Sequence, residues 1–284
     1  MGLRYCIVTF CLVCMWFLSP LETAHAGAAL DRIKSTGVIR MPDQGEFPPF
    51  SFTDSSGVYT GFDIEVSQEI AKRMGVTFKL VKNADGSLIT WEDQTDGLKW
   101  NDRFDVVVAD MTPTAKRAEH IAFPAIYFYA LAALCVHSDN TTIKAPVDAS
   151  GKRIGVQKAA NYEMYLRRQP FGIQGMEPVE YKIDNPIVVT FDDTEAPFTA
   201  LAKGDGVELD AVISYLPVIM DWIKQGKPFK VIGGPLYYVP QSVAILPGDP
   251  ELAAQLTKTV DDMHKDGTLS AISIKWLGLD MTKL

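Results

Sequence analysis

The sequence predicts an α/β protein of two units with a cleft between them. Strand signals alternate with amphipathic helix signals along most of the chain, and the alternation runs through twice. The length left after an N-terminal targeting segment suits two domains better than one. A composition 47% apolar and 22% charged is that of an ordinary globular protein.

The elements follow in order. "GVIRM" (37–41) is the first strand. "DIEVSQEIAKRMG" (63–75) is a helix: Val66, Ile70 and Met74 recur at helical spacing, Lys72 and Arg73 fill the last turn, and Gly75 stops it. "VTFKLV" (76–81) is the next strand and "FDVVVADM" (104–111) a short, apolar central one. "TPTAKRAEHI" (112–121) opens a helix with Thr114 as N-cap. The uncharged run Ile121 to Val136 contains Pro124 and Tyr127-Phe128-Tyr129, which reads as a buried strand or crossover and not a membrane span.

A second series begins after Asn140. "RIGVQ" (153–157), "PIVVTF" (186–191) and "LDAVIS" (209–214) are strands; "NYEMYLRRQ" (161–169), "TEAPFTALAKG" (194–204) and "LPVIMDWIKQG" (216–226) are helices. Pro250 to Trp276 is helical, with Leu252, Leu256, Val260 and Met263 on one face. The chain crosses between units near 136–140 and 233–241. This gives a first lobe of 27–137 plus 241–284 and a second of 138–240, each a mixed, mostly parallel sheet flanked by helices. In open α/β sheets a ligand sits beyond the carboxyl ends of the strands, so the cleft is the expected site.

Residues 1–26 read as a signal peptide: Arg4 precedes the apolar run Ile7 to Leu18, and Ala24-His25-Ala26 is a small-x-small cleavage pattern. Cys6, Cys11 and Cys14 leave with it, so only Cys135 remains and no internal disulfide forms. The expected location is the periplasm. The net charge of −8 argues against nucleic acid and anionic membrane surfaces. His120, His137 and His264 are scattered, so neither a metal site nor a cofactor is expected.

"EFPPFSFTDSSGVYTGFDIEVSQEIAKRMGV", "FDVVVADMTPTAKRAEHIAF", "KRIGVQ", "ELDAVISYLP" and "DDMHKDGTLSAISIKWLG" stand in an order that resembles the periplasmic solute-binding proteins of family 3, the polar amino acid receptors of ABC importers. The resemblance implies a two-lobed, monomeric, non-enzymatic trap that closes on a small solute and delivers it to a membrane permease. It assigns Thr112, Thr114 and Arg117 to a clamp on the ligand's carboxylate; a helix N-terminus and a planar guanidinium both suit that anion. Phe47 and Trp91 match the aromatic walls, while Phe50 packs the loop.

Two departures bear on the ligand. Tyr215 stands where relatives that bind α-amino acids carry an aspartate for the ammonium, and Ala159-Ala160 replaces a glycine and threonine, leaving Lys158 and backbone N–H groups, Ala160's among them, to receive an anion. Asp110 stands where the family has glycine or a small residue, and supplies a carboxylate from the opposite lobe, caps the helix or restrains Arg117. The ligand is then either an amino acid or cationic solute held by Asp110, or a non-amino, aromatic organic acid stacked among Phe47, Trp91 and Tyr215. The second is the preferred expectation, since a phenol in place of a carboxylate enlarges the apolar area. The alternatives to transport are an accessory or sensor partner of a periplasmic enzyme, and a cyclohexadienyl dehydratase-like enzyme using Glu163.

Overall fold

The computed structural model describes residues 28–100 and 102–283; the signal segment and its three cysteines lie outside them. In the first lobe α1 (Ala28–Thr36), which the sequence reading did not assign, buries Leu30 and Ile33. β1 (Val38–Pro42) is followed by a short hairpin of β2 (Phe52–Thr53) and β3 (Tyr59–Thr60), then by α2 (Phe62–Arg73) and β4 (Thr77–Val81). β1 and β4 pair in parallel, Val38 opposite Thr77 through Pro42 opposite Val81. The turn into α2 requires a glycine: at Gly61 φ is 130° and an added Cβ would lie 2.3 Å from the Phe50 carbonyl.

α3 (Trp91–Thr95) starts at a Thr90 cap and α4 (Ala115–Ala118) at the predicted Thr114 cap. The expected strand at 104–111 is buried but builds no ladder. It makes one bridge, Val107 to Ala244, and the N–H groups of Asp105 and Val106 both turn to the Arg40 carbonyl. The Asp105 carboxylate, buried against the Arg40 guanidinium and backbone N–H, takes the partners that a ladder would have supplied.

β5 (Ala122–His137) and β9 (Phe229–Ile245) form a long antiparallel ribbon. Between them in sequence lie β6 (Arg153–Gln157), α5 (Asn161–Leu166), β7 (Ile187–Phe191), α6 (Ala196–Leu201), β8 (Ala211–Tyr215) and α7 (Leu216–Lys224). The sheet order is β7-β6-β8-β5-β9, with β6 parallel to β7 and β8, and β5 antiparallel to both its neighbours. The C-terminal run is two helices, α8 (Pro250–Lys265) and α9 (Thr268–Leu277), separated at Gly267 with φ 80°. They pack back on the first lobe: Arg73 reaches Asp266 and Thr268, and the Trp276 indole N–H donates to Glu65. Leu252, Leu256, Val260 and Met263 are buried as expected.

At the expected crossover segments, Val136 and His137 pair with Lys230 and Phe229, and 233–241 lies inside β9. A bulge absorbs surplus residues there: Ala132 faces Tyr237, whereas Leu134 faces Ile232. β5 pairs with β9 along nearly its whole length and adds β8 as a second partner from Ala132 to Cys135.

Candidate functional site

Strands β6, β7 and β8 end at Gln157, Phe191 and Tyr215, and the residues that follow them face Phe47, Trp91 and Asp110 across a cavity of about 310 Å³. Both lobes supply its walls, at the strand ends where α/β sheets bind ligands. Phe47, Trp91, Tyr162 and Tyr215 are its aromatic residues. Among the described residues five carboxyl side chains line it, Glu46, Asp110, Asp192, Asp193 and Glu195, and no lysine, arginine or histidine does.

Of the predicted site residues, Phe47, Trp91, Asp110, Ala160 and Tyr215 line this cavity; Thr112, Thr114, Arg117 and Lys158 do not. Phe47 stacks on Phe50 at 5.2 Å, and Phe50 is fully buried against Phe62, Phe128 and Tyr215, the packing role expected of it. The Thr114 hydroxyl accepts from the Arg117 N–H as the cap of α4. Thr112 Oγ1 donates to Gln241 and accepts from Asn161 Nδ2 at 2.7 Å. Lys158 sits outside, paired with Glu92 at 2.8 Å with both side chains about half exposed. Glu163 accepts from the Ala159 N–H and from Arg167, and so is absent from the cavity wall on which the dehydratase reading depended.

Arg117 is buried behind the wall. Its Nη1 donates to the Thr112 carbonyl and its Nη2 to the Ala159 carbonyl, each at 2.9 Å, and its guanidinium lies 5.3 Å from the centre of the Trp91 ring. No carboxylate pairs with it among the described residues, and burial pulls its pKa down to about 10. A buried cation held only by carbonyls and a ring face is under-compensated and favours an anion brought from outside.

Asp110 is the reverse case. It has φ 49°, is 5% exposed, and both carboxyl oxygens lack hydrogen-bond partners. Burial, then the charge of Asp63, pushes its carboxyl up from the usual range. Glu195 is raised as well, by burial and then by Asp193 and Glu46.

Tyr215 is not a free stacking surface. Its hydroxyl accepts from Asn161 at 2.6 Å and Gln241 at 2.8 Å, its ring meets Tyr162 edge-on at 5.0 Å, and burial pushes its phenol up, so it stays neutral. Tyr237 completes this network by donating to Asn161 Oδ1. Contacts cross the cleft: Arg117 to Ala159, Asn161 to Thr112, Lys158 to Glu92, and Thr194 Oγ1 to the Glu46 carbonyl.

Sequence reasoning missed Asn161, Gln241, Asp63 and the acidic set Asp192, Asp193 and Glu195. The last group had a visible signal, "FDDTE" directly after a predicted strand. Asp63 stands in the quoted "GFD" but carries no sign of its burial.

The comparisons with known proteins agree with this geometry. The model of bacterial extracellular solute-binding proteins, family 3, matches residues 39–279. L-cystine-binding protein TcyJ of Escherichia coli (strain K12) is 30% identical over 257 residues, covering 89% of this chain and 88% of its own length. An ancestral arginine-binding protein bound to arginine superposes with a TM-score of 0.70 at 29% identity, over 84% of this chain and 98% of its own. The ancestral amino acid-binding protein AncCDT-1, a precursor of cyclohexadienyl dehydratase, gives 0.71 at 28%, over 87% and 99%. The two lobes, the cleft at the strand ends and a match over nearly the whole described chain lead to one conclusion: this chain belongs to the bacterial extracellular solute-binding proteins of family 3.

Proposed function

We propose that the protein captures a small solute of the amino acid class through its cationic group, in the periplasm, and presents it unaltered to the permease of an ABC importer. The observation that carries this reading is Asp110, a buried carboxyl that receives no hydrogen bond from any N–H among the described residues and lines a cavity with five acidic side chains and, among those residues, no basic one. An ammonium there replaces a costly unpaired polar group with a charge-assisted contact. The same lining disfavours the organic acid preferred from the sequence, since an anion without an amine would face five carboxyls, and Tyr215 is already bonded to Asn161 and Gln241.

Arg117 supports a carboxylate at the other end of the same solute. Its guanidinium has no acidic partner, and a ligand carboxylate would displace the weaker carbonyl contacts to Thr112 and Ala159. Asp110 and Arg117 together fit a zwitterion. Relatives named for cystine and arginine are consistent with an amino-bearing solute.

The test is a thermal-shift panel of matched pairs, each amino acid beside its deaminated carboxylate, with L-arginine and L-cystine included. Stabilisation by an amine and not by its deaminated partner supports the reading. Equal or greater stabilisation by the deaminated acids would overturn it.

A further inference from the structure

Behind Asp110 lies a second carboxyl that does not line the cavity. Asp63, in the first turn of α2, is 1% exposed, and its Oδ1 accepts from Tyr127 Oη at 2.8 Å. The same phenol oxygen accepts the Asp110 N–H at 2.9 Å, so Tyr127 ties the two acidic residues to one point. Asp63 Oδ2 and both Asp110 oxygens have no other partner, and the two carboxyls lie within reach of one another. Burial raises both carboxyls, so two this near one another in a dry site favour keeping a proton between them over carrying two charges. Of the two, Asp110 alone lines the cavity.

We propose that Asp63 is a specificity-determining residue: with Asp110 it forms one cation subsite that surrenders a shared proton when the ligand's ammonium enters. This rests on the amine reading above and extends it. The balance is simple. The O–H bond of the shared proton breaks and that proton leaves to solvent, the pair passes from one negative charge to two, and the ammonium keeps its own protons while donating to Asp110. The net charge of the occupied subsite equals that of the empty one, so the buried site never carries two uncompensated charges.

The groups that face the pair are Tyr127 on β5, Tyr162 on α5 and Tyr215 at the end of β8, all kept neutral by burial. Arg117 lies against the Trp91 ring, and Glu46, Asp192, Asp193 and Glu195 line the same cavity. Glu195, itself raised, is the rival source of a proton and has to be separated from the pair.

The experiment is titration calorimetry of the mature protein with the amine that the panel selects, L-arginine first, in buffers of unlike ionisation enthalpy over a series of pH values. The expected result is release of about one proton per ligand bound, with affinity rising about tenfold per pH unit while the pair ionises. Asp63→Asn removes the charge that adds to burial in raising Asp110, so the window of proton release moves to lower pH. Glu195→Gln weakens binding but leaves the count near one. Should Asp63→Asn fail to fold, Tyr127→Phe takes its place: it removes the bond that favours Asp63 ionisation and moves the release window to higher pH. Binding of an amine without proton release, release lost in Glu195→Gln, or a release window unmoved in Asp63→Asn or in Tyr127→Phe, overturns the proposal while the amine reading stands. Failure of every amine to bind overturns both.

Discussion

At the scale of single residues, Asp110 and Arg117 are two buried ionisable groups, each without an oppositely charged partner among the described residues. Burial and Asp63 raise the Asp110 carboxyl above its unfolded value near about 4. The stability contributed by its protonated form is fully present below that value and is lost as pH rises through the folded pKa. The empty protein should therefore lose up to about 1.4 kcal/mol per pH unit in that window. In Asp110→Asn, which tolerates the same left-handed backbone, the slope should shrink; urea unfolding at stepped pH measures it. Arg117→Ala should weaken ligand binding about 10- to 100-fold, the worth of a charge-assisted bidentate contact of roughly 1.5–3 kcal/mol. Lys158→Ala, which breaks only an exposed pair with Glu92, should change affinity by less than about threefold. Calorimetry on the two variants separates a ligand contact from a surface latch, and equal losses would contradict this assignment.

At the scale of elements, α4 is a single turn whose start is fixed by Thr114 and whose body carries Arg117. Thr114→Ala removes the cap and should cost about 1 kcal/mol, lowering Tm by about 2–4 °C in a scan of the empty protein. This cap was legible in the sequence because a hydroxyl before a helix has a local physical cause. So were α2 and α7, and the apolar face of α8, whose spacing is a property of the segments themselves, though the break before α9 at Gly267 was not. The 104–111 run was not. It has a strand's apolarity, but whether an extended segment joins a ladder depends on partners remote in sequence, and here Asp105 holds it to Arg40. β9 was hidden for a related reason: 233–241 was read as a crossover segment, and a bulged strand looks like one until the facing strand is known.

At the scale of the whole molecule, two lobes joined by the β5–β9 ribbon meet across a cleft. A solute that touches both lobes stabilises this closed arrangement by its differential contacts. Small-angle scattering should show compaction on adding ligand, and saturation at about 100 times Kd should add about 2.7 kcal/mol to unfolding stability. The two-lobed fold was readable because strand ends and their flanking motifs point into such a cleft, and five of the nine expected residues line it. The polarity of the ligand was not. Asp192, Asp193 and Glu195 reach the cavity only when β7 docks beside β6, and Asp63 becomes important only through Tyr127, a residue 64 positions away. Tyr215, read as an open aromatic wall, is instead bonded to Asn161 and Gln241.

The most direct test of the central claim is native mass spectrometry of the protein purified gently from its native cells, followed by denaturation and identification of the released molecule. Release of an amine-bearing solute of the amino acid class is the predicted result. Release of a carboxylate that has no amine would contradict the account.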